Sequence, residues 1–318
     1  MNTDFPREGI LAALAIPSDA RGRVLKKPLA THLAWLRERG IHGVLALGSS
    51  GEFPRFSVDA RKRALETIAE LAAPLPVIAN ISDVRSQVVA ELGRFARSLG
   101  LPGVGIMPPS FYPLSPADQL AFFLHAAEAT QLPVMLYNFP ELTGNRIAPE
   151  TIAAFADRAP MAAIKQSGRE FEYHRQLIEL GVEKNFSVFS GADTRLPEVF
   201  ALGAHGCIGG LVNFVPEYML SIYEHCRLGR AGEWEATAAR MKDVGAIVDR
   251  LTFPLNVAAG VEARGFDPGE PKTVVSEESV AIYHGIVESL RDCFAVWGLD
   301  RVPGGRVASR LARKVHAA

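Results

Sequence analysis

Cysteine is scarce: Cys207, Cys226 and Cys293 are the only three in 318 residues. They are odd in number, widely spaced and free of any CxxC pairing, which argues against a disulfide framework or a thiolate zinc site. Neither sign of charge is in excess. Lys plus Arg is 34 and Asp plus Glu is 35, a net charge of -1, so the basic footprint of a nucleic-acid binder is missing. No apolar run approaches the ~20 residues of a membrane span. The first eight residues lack the apolar centre of a signal peptide. The eight histidines fall in no HxH or HExxH spacing, so a metal-dependent reaction has no candidate ligand set. GxGxxG, GxSxG and Walker A strings are also missing. These absences leave an expected cytoplasmic globular protein, without metal or cofactor, acting on a small molecule or another protein.

What is present is a structural repeat without a sequence repeat. Hydrophobic residues make up 48% and charged residues 22%, enough apolar material for a large core. Short runs rich in Val, Ile, Leu and Ala recur at 9–17, 43–51, 76–83, 103–109, 133–140, 162–168, 186–193 and 206–213. They are mostly continuous rather than alternating, as parallel strands buried on both faces require. Helical spacing fills the gaps. Leu29, Leu33 and Leu36 share a face before Gly40, Ser57 and Ser115-Pro116 supply helix starts, and Pro149-Glu150 and Glu170 mark later ones. Eight strands alternating with eight helices predict an α/β fold, a (β/α)8 TIM barrel, with the doubly wound open sheet as the alternative. The open sheet usually carries a Gly-rich turn after its first strand, and none follows Ile16.

Beyond Leu228 the strand pattern stops. Met241, Val244, Ile247, Val248 and Leu251 predict one helix, and Val280 to Phe294 another. Val257 and Val261 suggest a shorter helix between them. The expected division is a catalytic barrel over 1–228 and a C-terminal helical appendix over 229–318, with 301–318 a loosely held basic tail. Trp35, Trp234 and Trp297 are expected to pack in helices, and His174 and His205 to lie on a helix surface and in a turn.

Active sites of such barrels gather at the C-terminal strand ends. There the sequence places Gly48-Ser49-Ser50-Gly51-Glu52, Tyr137, Lys165, Gly191, Asp193 and Gly209-Gly210. Lys165 lies within a strand. Desolvation there favours a neutral, nucleophilic amine, the form needed to make a Schiff base with a ketone; a lysine turned outward or salt-bridged is the other possibility. Tyr137 is either an acid/base that serves a carbinolamine or a core aromatic with a satisfied hydroxyl. Ser49 and Ser50, between two glycines, suit a carboxylate, although a bare turn would look the same.

Together Lys165, Tyr137 and the 48–52 turn resemble the class I pyruvate-dependent aldolase family, which includes dihydrodipicolinate synthase and N-acetylneuraminate lyase. The family's Gly-[Ser/Thr]-[Ser/Thr]-Gly-Glu stands here at 48–52, and its Tyr-Asn-x-Pro-x-x-[Ser/Thr]-Gly at 137–144. The resemblance implies a pyruvate imine on Lys165, Tyr137 as acid/base, and Ser49 and Ser50 on the carboxylate, with Ser49 also relaying protons. It further implies that Tyr112 completes a relay in a neighbouring subunit, that Gly191 and Ile208 line the pyruvate pocket, and that the chain forms a homodimer or homotetramer. The synthase motif has an Arg where this chain has Leu142, which removes a bidentate clamp for a second carboxylate. Arg146 is the nearest candidate substitute. The lyase motif has Asp-Glu where this chain has Asp193-Thr194, and a Ser where this chain has Gly210. The expected substrate is therefore a 2-keto-3-deoxy sugar acid or a similar hydroxylated keto acid. The alternatives are the synthase reaction with aspartate semialdehyde, a keto-acid dehydratase, and a keto-acid-binding barrel without turnover. Phosphate binding near Arg195 stays open as well.

Overall fold

The computed structural model describes residues 4–230 and 232–299. Its strands are β1 (Gly9–Ala13), β2 (Gly43–Ala46), β3 (Val77–Asn80), β4 (Gly103–Ile106), β5 (Val134–Asn138), β6 (Met161–Gln166), β7 (Ser187–Ser190) and β8 (Gly206–Gly209). They close into one barrel in chain order. All pairs are parallel, and β1 meets β8 in the register Leu11↔Ile208 to complete the ring. The strands end before their apolar runs do, because the last residues of each run leave the ladder and form the loops above it.

Between and after the strands come α1 (Lys26–Glu38), α2 (Val58–Ala72), α3 (Ser86–Ser98), α4 (Pro116–Thr130), α5 (Pro140–Thr143), α6 (Pro149–Ala156), α7 (Tyr173–Lys184), α8 (Leu196–Ala201) and α9 (Pro216–Arg227). The start signals act as expected at three of them, and Pro149 opens α6 with Glu150 in its first turn. Ser57 accepts the Ala60 N–H at 3.2 Å and Ser115 accepts the Asp118 N–H at 3.1 Å. Helix α7 begins three residues after Glu170, and α5 is a single turn that the sequence pattern did not anticipate. Pro140 opens that turn and Gly144, at φ 73°, ends it.

Alternation along each strand explains why the runs are continuously apolar. Leu11, Ala13, Leu45, Ile78, Met135, Tyr137, Ala163, Phe189 and Ile208 fill the barrel interior. Their neighbours Ile10, Ala12, Val44, Ala46, Val134, Leu136, Ile164 and Val188 face the helices. On β6 this period of two puts Lys165 on the same side as Ala163, inside the barrel.

Three further helices follow: α10 (Glu235–Val248), α11 (Leu255–Ala263) and α12 (Glu277–Val296). Two glycines bring them onto the strand ends. A Cβ on Gly245 would collide with the Thr194 methyl, and one on Gly260 with the Phe214 ring. Trp35 packs within α1 as expected, whereas Trp234 and Trp297 sit at helix caps. His174 departs from expectation: it lies in α7 but is buried, its Nδ1 donating to Phe171 O at 2.8 Å. His205 lies in the turn before β8, where its Nδ1 accepts the Val188 N–H. The predicted tail at 301–318 lies outside the described residues.

Asn213 secures the seam where the ring closes. Its amide donates to Ala13 O at 2.9 Å and Gly210 O at 2.8 Å, and its Oδ1 accepts the Ala15 N–H at 2.9 Å. The Asn213 carbonyl accepts from His32 Nε2 at 2.8 Å, which fixes that nitrogen as the protonated one. Burial pushes the His32 pKa down to about 4 from 6.5. Below about pH 6.5 the unfolded chain takes up a proton at this position that the folded chain refuses until about pH 4. Stability should therefore fall as pH drops through that window, by on the order of 3 kcal/mol from this residue. Urea midpoints across the window should slope less in His32→Gln than in the parent. Equal slopes would show that His32 is not the sensitive group.

Candidate active site

Strands β5 and β6 carry the centre of the site. Their register pairs Tyr137 with Lys165 and Asn138 with Gln166. Lys165 is 3% exposed and Tyr137 1%, and Lys165 Nζ lies 4.2 Å from the Tyr137 ring centroid. The outward-turned lysine is thus excluded, and Lys165 has no salt bridge among the described residues. One residue further along both strands, Asn138 Nδ2 donates to Gln166 Oε1 at 2.7 Å and Asn138 Oδ1 accepts the Ile147 N–H at 2.9 Å. Fixing both strand ends in this way sets the direction from which the Lys165 and Tyr137 side chains emerge.

The turn after β2 supplies the third element. Gly51 N–H donates to Gly48 O at 3.1 Å and Glu52 N–H to Ser49 O at 3.0 Å. Leu47 and Glu52, on either side, both occupy left-handed backbone, at φ 55° and 59°. This brings Ser49 Oγ to 3.0 Å from the Tyr137 hydroxyl. The carbonyl of Leu47 accepts from buried Asn80 at 2.7 Å. The turn thus aims a hydroxyl at the tyrosine.

A cavity of about 250 Å³ opens above these residues, lined by Ser49, Ser50, Tyr137, Lys165, Gly191, Asp193 and Ile208. A Cβ on Gly191 would collide with Ser167 Oγ and come within 3.4 Å of Lys165 Cε, so only glycine leaves room for a small ligand at the amine. Asp193 Oδ2 accepts the Leu211 N–H at 2.8 Å, and Oδ1 lies 3.4 Å from Cys207 Sγ. Burial raises the carboxyl of Asp193, while the Leu211 N–H and the charge of Lys165 pull it down. Burial also raises the Cys207 thiol, with the Asp193 charge adding to it.

Sequence inspection of the strand ends missed part of the lining. Asp249, Phe253, Asn256 and Val257 reach the same cavity from the appendix. Of these the sequence marked only Val257, as part of a short helix, and nothing local showed which strand ends that helix would cover. A second cavity of about 500 Å³ shares Ser49 and Phe253 with the first and is lined by Leu142, Arg55, Asp83 and Arg85. Tyr112 lines neither cavity. It is 72% exposed with its ring against Phe111, so within one chain it is not brought to Lys165. Arg146 is no replacement for the arginine missing at Leu142: its Nε donates to Glu170 Oε2 at 2.6 Å and its guanidinium stacks on Tyr173. Arg195 stacks on Phe171 and faces Glu198, which leaves the phosphate suggestion without a free guanidinium there.

The model of the dihydrodipicolinate synthetase family matches residues 6–289. An uncharacterized DapA-like lyase of Halobacterium salinarum is 28% identical over 82% of this chain and 86% of its own. The 4-hydroxy-tetrahydrodipicolinate synthase of Methanosphaerula palustris is also 28% identical, over 85% of this chain and 94% of that one. Among solved structures, the prophage protein YagE of E. coli K12, in complex with pyruvate, superposes with a TM-score of 0.81 at 24% identity. It covers 89% of this chain and 98% of its own. The motifs at 48–52 and 137–144, the closed barrel and these matches agree: the chain is an enzyme of the lyase class and belongs to the dihydrodipicolinate synthetase family.

Proposed function

We propose that the enzyme cleaves, reversibly, a 2-keto-3-deoxy sugar acid or similar hydroxylated keto acid to pyruvate and an aldehyde, through a Schiff base on Lys165. The observation that carries this is the placement of Lys165 beside Tyr137, with Ser49 Oγ 3.0 Å from the phenol, at the base of a sheltered cavity. The neutral amine attacks the C2 ketone, and loss of water from the carbinolamine gives the imine. Tyr137 gives and takes the protons of those steps and removes the proton of the C4 hydroxyl. The C3–C4 bond then breaks, its electrons pass to the nitrogen as an enamine, and the aldehyde leaves. Protonation at C3 and hydrolysis return pyruvate and Lys165. Ser49 and Ser50 bind the keto-acid carboxylate, and Gly191 and Ile208 border the pyruvate carbons.

Two features support a hydroxylated rather than a carboxylated distal half. Leu142 offers no charge, and the arginines of the adjoining cavity are engaged: Arg55 with Glu52, and Arg85 with Asp83 at 2.9 Å and 3.2 Å. Asp193, Asp249 and Asn256 provide polar groups in the cavity itself, suited to hydroxyls. The same proposal assigns Tyr112 to the site of a second copy in a homodimer or homotetramer, in keeping with its exposure, and places the enzyme in the cytoplasm.

Incubation with pyruvate and borohydride should add the reduced keto acid to the peptide holding Lys165, and mass spectrometry reads it directly. A folded protein without that adduct would defeat the Schiff-base mechanism. Pyruvate release should be fastest from keto-deoxy sugar acids in a substrate panel. Rapid consumption of aspartate semialdehyde with pyruvate would instead establish the synthase reaction.

A further inference from the structure

The turn that aims Ser49 is held at one end by a residue over 200 positions away. Glu52 closes the turn in left-handed backbone, a conformation that disfavours any residue but glycine by about 1 kcal/mol or more and persists only where its surroundings enforce it. Its carboxylate is 16% exposed and pairs with Lys272 Nζ at 2.8 Å; the lysine side chain is 8% exposed. The same ammonium donates to Ile16 O at 3.1 Å, beyond the end of β1. One buried charge from the segment between α11 and α12 thus joins the tops of two neighbouring barrel strands. Arg55 also touches Glu52, but its side chain is 38% exposed, so water screens that pair far more than the one to Lys272.

We infer that Lys272 is a positioning residue: through Glu52 it fixes the 48–52 turn, and with it the Ser49 hydroxyl and the keto-acid carboxylate site. Lys272 does not line the Lys165 cavity. It borders a separate space of about 340 Å³ together with Glu52 and Arg55, so its action on the reaction is indirect. The other end of the turn is anchored by Asn80 on the Leu47 carbonyl, inside the barrel. The appendix therefore supplies one of two clamps on the turn.

This inference rests on the Schiff-base proposal for its kinetic test and on geometry for its structural one. In Lys272→Met, the pyruvate concentration that half-saturates borohydride trapping should rise about 10-fold, as a displaced binding group implies. The trapped yield at saturating pyruvate should stay within about threefold of the parent. Lys272→Arg, which keeps the charge, should recover most of the affinity. Glu52→Gln, a gentler change should Lys272→Met fold poorly, should raise the half-saturating concentration in the same direction. Unchanged half-saturation in both Lys272→Met and Glu52→Gln would overturn the inference. So would a fall in thermal stability that Lys272→Arg shares in full without any change in half-saturation. If the parent itself traps no keto acid, the Schiff-base proposal fails and a crystal structure of Lys272→Met decides. Ser49 moved out of hydrogen-bond reach of Tyr137 supports the positioning role, and an unmoved turn overturns it.

Discussion

Replacing Lys165 by Met is expected to remove turnover almost entirely, by about 10⁴- to 10⁶-fold, the scale on which other enzymes lose rate with their nucleophile. The substitution keeps length and bulk while deleting the amine. Two opposing effects set its stability. Lys165 is buried, and an apolar group of similar volume in place of a buried charge is often neutral or stabilising. Against that, the Lys165 charge is one of the influences holding down the raised carboxyl of Asp193, so the variant leaves Asp193 costlier to ionise. Asp193 answers by taking a proton at higher pH than in the parent. Because the folded form then binds a proton that the unfolded form releases, the variant should gain stability relative to the parent as pH falls from neutral toward the ordinary carboxylate range. Mass spectrometry should find no borohydride adduct. Thermal unfolding at the two ends of that range tests the rest. Residual turnover above a hundredth of the parent rate would mean that the reaction does not pass through Lys165.

Much of this site could be read from strand ends, for a physical reason. A barrel interior admits a lysine only where something uses it, and the period of two on β6 leaves no doubt about which side Lys165 faces once Ala163 is placed inside. Tyr137 follows from the neighbouring strand by register. Glycines 48 and 51 are legible as a turn whose backbone N–H groups can be exposed, whereas Gly191 came only with the resemblance. The contacts that depend on long-range closure were not legible. Lys272 sits in a Gly- and Pro-rich stretch with no local pattern, and only the folded chain shows that it ends beside Glu52 and Ile16. Asn256 and Asp249 carry no local signal, and nothing in the helical spacing around them shows that α10 and α11 would lie over the ends of β7 and β8. Tyr112 was placed by resemblance, and within one chain it lies on the surface, away from Lys165. His174 differs because one polar ring on an amphipathic helix reads as surface, while the Phe171 carbonyl of its own turn accepts from its Nδ1 within the fold.

Tyr137→Phe separates proton transfer from imine chemistry. The ring stays, so the packing of the barrel interior and the contact with Lys165 persist, and only the phenolic oxygen is lost. The missing hydrogen bond to Ser49 should cost about 1 kcal/mol of stability. The rate should fall by about 10²- to 10⁴-fold, the usual contribution of a positioned acid/base. Pyruvate should still label Lys165, only more slowly, because the nucleophile and the carboxylate site remain. Ser49→Ala removes the other half of the 3.0 Å contact and should cost less, since water can replace a relay but not its terminal acid. If the two hydroxyls work as one relay, the double variant should be little slower than Tyr137→Phe alone. Fully additive losses would instead mean that each hydroxyl acts separately, Ser49 on the carboxylate and Tyr137 on the reacting oxygen. Turnover at the parent rate in Tyr137→Phe would take the tyrosine out of the mechanism and leave the protons to water in the cavity.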